Sequence, residues 1–103
     1  MAARLLSVGE LEAGLKTLPG WRVEDGKLRR ELRFPSFVEA FGFLTSLAIV
    51  AERLNHHPEI FNVYNRVDLT LWTHDSNGLT ELDLGLAQAA NKLAGHAESS
   101  EKS

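Results

Sequence analysis

Apolar positions along this chain change period several times, and the changes mark its elements. Ser7-Val8-Gly9-Glu10 matches a capping box, in which Ser7 and Glu10 satisfy the first free backbone N–H groups of a helix. Leu11, Leu15 and Leu18 follow at helical spacing, and Pro19-Gly20 stops the run. Trp21-Arg22-Val23-Glu24 alternates in polarity, and Asp25-Gly26 is a two-residue hairpin signal. The return strand, Lys27 to Phe34, sets Leu28, Leu32 and Phe34 on one face and Arg29, Glu31 and Arg33 on the other. Arg30 interrupts the apolar face and is expected to snorkel to an edge, with no function assigned to it.

Pro35 separates this hairpin from a second capping box, Ser36-Phe37-Val38-Glu39, and from a helix expected to reach about Asn55. Phe37, Val38, Phe41, Phe43, Leu44, Leu47, Ile49, Val50 and Leu54, with Ala40, Ala48 and Ala51, make an apolar surface wider than the roughly 100° stripe of a surface helix. Such a helix is either deeply buried or pressed against another subunit. His57 precedes Pro58, which disfavours the α conformation and ends the helix. A second hairpin is expected from Glu59 to Val63, a turn near Tyr64-Asn65, and a long strand from Arg66 to His74. On that strand Val67, Leu69 and Leu71 share one face, and Asp68, Thr70, Trp72 and His74 the other. Asp75-Ser76-Asn77-Gly78 reads as a loop, and Thr80 with Asp83 as a third helix start. Leu82, Leu86, Ala89, Ala90 and Leu93 form its expected core stripe, and Gly95 closes it.

The order is α-β-β-α-β-β-α. Short hairpins make both strand pairs antiparallel, so the fold class is α+β, with helices packed on one face of a sheet. Residues 1–95 are expected to form one domain, and residues 96–103 a polar, disordered tail.

Composition narrows the chemistry. With 103 residues the chain suffices for one core. A formal charge of −3 gives no electrostatic reason to expect nucleic acid or an acidic membrane as partner. The absence of cysteine excludes disulfide, thiolate and zinc-thiolate chemistry. The N-terminal apolar run is too short for a signal peptide, and Phe41 to Ala51 is too short to span a bilayer. A cytoplasmic location is the simplest expectation.

What remains as candidate chemistry is histidine, the side chain that exchanges protons near neutral pH. Three of the four histidines, His56, His57 and His74, lie at the edges of expected elements, where side chains can converge on a cleft. His56 falls at a helix C-terminus, whose unpaired carbonyls favour positive charge, and Glu52 precedes it by four residues, the spacing of a helical ion pair. His57 must point elsewhere, and His74 follows Trp72 on one strand face. Each has an ordinary alternative: a helix-end histidine as a cap, Trp72 as packing, Asp83 as a residue favoured by the helix dipole. The three histidines as metal donors are a further reading, but no His-Glu-x-x-His pattern is present and the adjacent pair would have to bend unusually.

The stretch Glu52-Arg53-Leu54-Asn55-His56-His57-Pro58-Glu59, then Asn62-Val63-Tyr64-Asn65-Arg66-Val67, then Leu69-Thr70-Leu71-Trp72-Thr73-His74, resembles the pterin-4a-carbinolamine dehydratase family. The resemblance extends to Gly20-Trp21, Phe34 with Phe37, and Gly78-Leu79-Thr80 with Asp83, covering Leu11 to Leu93. It implies a four-stranded antiparallel sheet with helices on one face. It also implies a homodimer built through edge strands, or a homotetramer built through the long second helix. The implied reaction removes water from a 4a-hydroxytetrahydropterin to give the quinonoid dihydropterin, which supports tetrahydrobiopterin recycling. That chemistry calls for no metal and no cofactor.

By family carry-over His56, His57 and His74 are catalytic, and Glu52 and Asp83 are the carboxylates that orient them. The implied pterin contacts are Asn55, His56, His57 and Pro58 on one side and Trp72, Thr73, His74 and Asp75 on the other. Which histidine is acid and which is base stays open, with the helix-end argument leaning toward His56 as donor. Two departures stand out: Asn55 where the family often has Asp, and Ile60 where it often has an aromatic residue. Two other functions compete with this one. A non-catalytic dimerisation or coactivator-type protein would use the wide face of the second helix. A metal-dependent hydrolase would need a bound metal.

Overall fold

A computed structural model describes residues 2–95 and the backbone of residues 98 and 99. In chain order the elements are α1 (Val8–Leu15), β1 (Arg22–Glu24), β2 (Lys27–Arg33), α2 (Phe37–Leu54), β3 (Glu59–Val63), β4 (Arg66–Leu71), a 3₁₀ turn (His74–Ser76), α3 (Glu81–Ala94) and β5 (Glu98–Ser99). The four main strands lie in the order β1-β2-β4-β3, all antiparallel, and β5 pairs with the far end of β2. The polar tail expected to be disordered lies otherwise outside the described residues.

The central pair, β2 with β4, sets Leu28 opposite Leu71 and Leu32 opposite Val67. Side chains alternate across a strand, so this register gathers Leu28, Leu32, Val67, Leu69 and Leu71 on one buried face. Ala40, Phe43, Leu47 and Ala51 of α2, with Leu84, Leu86, Ala87 and Ala90 of α3, complete the core. Asp25 and Gly26 between β1 and β2 have φ of 54° and 73°. Positive φ at both turn positions is what a tight hairpin needs to match strand twist.

Several expectations are corrected. Helix α1 ends at Leu15, so Leu18 enters the core from the loop beyond it. The Ser36 hydroxyl accepts from Glu39 N–H at 3.1 Å, but the returning side-chain bond of a full box is not formed. Strand β4 stops at Leu71, because Thr73 turns away to bridge Gly78, its N–H donating to the Gly78 carbonyl at 2.8 Å. The stripe of α3 is rotated: Leu82 is half-buried and Leu93 exposed, while Asp83, Leu86, Ala87 and Ala90 face inward at i, i+3, i+4 and i+7. A polar residue heads that stripe, which hides it from an apolar pattern.

Arg30 is half-buried rather than turned fully out to solvent. Its guanidinium bonds Asn91 Oδ1, which also accepts from Trp21 Nε1, and its Nε is buried without a partner among the described residues. Burial pulls this arginine below the usual value for its type. Among the described residues no helix is long and apolar enough to cross a membrane.

Helices α1 and α3 both begin with complete capping boxes, at Ser7 and Thr80. Ser7 is exposed, whereas Thr80 is fully buried and its hydroxyl also bonds Thr73 Oγ1 at 2.7 Å. Removing an N-cap hydroxyl costs roughly 0.5–2 kcal/mol, and a buried partner left unsatisfied pushes the cost upward. Thr80→Ala is therefore expected near the upper end of that range and Ser7→Ala near the lower, measured by urea denaturation of both variants.

Candidate active site

Three chain segments meet beside the sheet: the C-terminal end of α2, the segment after β4, and the first turn of α3. Their meeting depends first on Asn55. This C-cap residue is left-handed (φ 51°, ψ 42°), and its N–H closes onto the Ala51 and Glu52 carbonyls. Asn is one of the few non-glycine residues that adopts this conformation readily. The turn sends His56 inward, where it is only 8% exposed, and Pro58 keeps His57 extended on the outside.

His56 Nε2 lies 2.6 Å from Oδ1 of Asp83, which is fully buried. A carboxylate only accepts, so Nε2 carries the hydrogen in that bond and Nδ1 is the ring nitrogen left over. Oδ2 of Asp83 accepts from the Thr73 hydroxyl at 2.8 Å and from Thr80 N–H at 2.9 Å. Since Thr73 spends its only hydroxyl hydrogen on Asp83, the Thr80 hydroxyl must donate to Thr73 Oγ1, while Thr80 Oγ1 accepts from Leu82 N–H at 3.2 Å. Every buried polar atom of this group thus has a partner.

The other two histidines are open to solvent. His57 Nε2 pairs with Glu52 Oε1 at 2.9 Å, both side chains being exposed. This corrects the expected Glu52–His56 pair: the left-handed turn at Asn55 rotates His56 off the helix face and brings His57 over Glu52. His74, the first residue of the 3₁₀ turn, stacks on Trp72 with ring centroids 3.8 Å apart and planes 31° from parallel. The N-terminal segment braces this loop, with Leu6 N–H donating to the Leu79 carbonyl at 2.9 Å.

Between the histidines lies a cleft of about 270 Å³, lined by Asn55, His56, His57, Trp72, Thr73, His74, Asp75 and Leu82. That volume sits near the lower end of small-molecule sites. Of the positions expected around the ligand, Pro58 alone does not line the cleft. Asp83 stands behind His56 and Glu52 beside His57. Leu82 and the Thr80 support were not anticipated, although the Thr80–Asp83 capping box was visible and its burial was the missing step. Ile60 pairs with Leu69 and so belongs to the helix-bearing face, opposite that of Trp72.

A larger hollow, about 550 Å³, lies on the outer sheet face. It contains no histidine, and four of its charged residues pair with one another, Arg29 with Glu24 at 3.2 Å and Arg66 with Asp68 at 2.8 Å. Acid–base chemistry has its groups in the smaller cleft. Among the described residues no group of three His, Asp or Glu side chains is gathered tightly enough to hold a metal ion.

Known proteins resemble the chain across this whole arrangement. The profile described as pterin 4 alpha carbinolamine dehydratase matches residues 4–93. A Prochlorococcus marinus (strain MIT 9303) protein, provisionally named a pterin-4-alpha-carbinolamine dehydratase, is 53% identical over 93 residues, covering 90% of this chain and 97% of the relative. A Rhizobium etli protein of the same provisional name is 52% identical over 96 residues, covering 91% and 95%. The crystal structure of a transcriptional coactivator/pterin dehydratase from Brucella melitensis superposes with a TM-score of 0.87 at 46% identity, over 89% of this chain and all of that one. A pterin dehydratase-like protein described as a RuBisCO assembly factor in the alpha-carboxysome matches with a TM-score of 0.61 at 26% identity, over 73% of this chain and 87% of that one. With fold, cleft and near full-length similarity in agreement, the chain belongs to the pterin 4 alpha carbinolamine dehydratase family.

Proposed function

We propose that the cleft dehydrates a 4a-hydroxytetrahydropterin to the quinonoid dihydropterin by histidine acid–base catalysis. The observation that carries the reading is the convergence of His56, His57 and His74 on one cleft, with a fully buried carboxylate behind His56. In the reaction the C4a–O bond breaks as the hydroxyl takes a proton and leaves as water. N5 gives up its proton, and the electron pair released forms the C4a=N5 bond. No electrons are exchanged with another molecule, so an acid, a base and an orienting pocket suffice.

Our reading departs from two expected assignments, Glu52 as the support of His56 and His56 as the proton donor. Glu52 no longer supports His56, and the Nε2–H to Asp83 bond leaves His56 only Nδ1 to offer a substrate. That is the arrangement of a base oriented by a buried carboxylate. In this reading His56 accepts the N5 proton through Nδ1, and the two open histidines, His57 and His74, serve the leaving hydroxyl. Thr73, Asp75 and Asn55 border the space where the pterin edge would lie.

Positioned acid–base groups contribute about 10²–10⁴-fold. His56→Ala and His74→Ala are each expected to lower the dehydration rate by about 10² or more, and Asp83→Asn by at least about 10-fold, through the misoriented His56 ring. Stopped-flow assay with synthetic 4a-hydroxytetrahydropterin measures all three, with a chelator expected to change nothing. A folded wild-type protein that does not outpace buffer would sink the reading.

Helix α2 supports an oligomer and keeps the binding-protein reading in play. Phe41 and Ile49 are 54% and 58% exposed, and Val38 more so, which is unusual for a helix this apolar. The edge strand β3 likewise leaves Phe61 and Val63 open. A homodimer or homotetramer would cover both surfaces. Ile49→Glu is expected to reduce the mass read by light scattering if α2 is an interface, whereas an unchanged mass would assign the assembly to β3 or exclude α2.

A further inference from the structure

Each histidine of the cleft needs something to hold its ring, and two of the holders are hydrogen-bonded carboxylates: Asp83 for His56 and Glu52 for His57. His74 has no such partner. Its ring nitrogens make no hydrogen bond among the described residues, and its side chain is exposed at the start of a 3₁₀ turn. The contact that fixes its plane is the stack on Trp72, at 3.8 Å between centroids.

Trp72 is itself held from two sides. Its Nε1–H donates to Glu59 Oε2 at 2.9 Å, and the Lys27 ammonium lies 4.5 Å from its ring centroid. Glu59 belongs to β3 and Lys27 to β2, the two strands that flank β4. The indole therefore sits just past the end of β4, gripped by both neighbours of that strand, and both grips lie on the rim of the outer hollow. A cation near the indole and an acceptor on its N–H each favour one orientation of the ring.

We propose that Trp72 is the positioning residue for His74, its indole setting the imidazole plane in the cleft while Glu59 and Lys27 set the indole. The alternative role is a stacking platform for substrate. The face of Trp72 that His74 covers is already occupied, which disfavours that role. For its kinetic readout the proposal rests on the dehydratase reading; its spectroscopic readout does not.

Four variants test it: Trp72→Leu, which removes the stack, Trp72→Phe, which keeps one, and Glu59→Ala and Lys27→Met, which leave the stack but release the indole. The His74 ring protons, assigned by their loss in His74→Ala, report the ring current of the indole directly in the NMR spectrum. In Trp72→Leu they are expected to move to the positions of a free histidine, and kcat to fall about 10-fold with KM nearly unchanged, the pattern of a misplaced catalytic group. Trp72→Phe is expected to restore most of both signals. Glu59→Ala and Lys27→Met are expected to give intermediate shifts.

A raised KM with kcat preserved in Trp72→Leu would overturn the proposal in favour of a substrate platform. Unchanged His74 resonances would overturn it outright, whatever the activity. Should Trp72→Leu fail to fold, the Glu59→Ala, Lys27→Met and Trp72→Phe spectra decide by the same criterion. A wild-type protein without dehydratase activity would fail the functional reading alone, because the ring-current test stands without turnover.

Discussion

Burying a carboxylate costs several kcal/mol unless donors replace the water it loses. Asp83 has three: His56 Nε2, the Thr73 hydroxyl and Thr80 N–H. They come from the end of α2, the segment after β4 and the start of α3, so the charge is satisfied only when all three are in register. Moving any one of them leaves the buried carboxylate a donor short. The helix dipole of α3 adds a favourable field at the same end. Packing at the three segment ends and the orientation of His56 are therefore one constraint.

That constraint divides the cleft into a fixed wall and an adaptable one. His56 is held in the interior by a short bond to a buried partner. His57 and its Glu52 are exposed, where an ion pair is worth little. His74 depends on a stack at the molecular surface. The buried, hydrogen-bonded side of the cleft is thus the rigid one, and the solvent-facing side the looser. The loop that bears His74 is nevertheless braced, through Thr73 to Gly78 and through Leu6 to Leu79.

Much of the fold was legible because its signals are local. Ser7, Thr80, Asp25-Gly26 and the Asn55-to-Pro58 helix exit each announce a boundary by their own chemistry. The apolar alternation of β2 and β4 fixed which side faces the helices. Failures came where one residue's tertiary role overrode a periodic pattern. Asp83 turned the α3 stripe by heading it with a charge, and Thr73 ended β4 early by turning to Gly78. The Glu52 pairing missed because i,i+4 spacing presumes that the helix continues, whereas Asn55 takes the chain out of it. For the cleft, residue identities followed from the family resemblance, but who holds whom required coordinates: no spacing rule connects Lys27 and Glu59 to Trp72.

Asn55 carries a consequence for how such a chain can vary. The two adjacent histidines point apart because one left-handed residue follows a helix of fixed phase. Each residue advances an α-helix by about 100°, so a one-residue insertion between Ala51 and His56 would swing the exit vector by more than a quarter turn. Asn55 can be exchanged for another residue at ease with positive φ, glycine above all, and the exit keeps its direction. Chain length in this stretch is thus under stricter control than the identity of its left-handed residue.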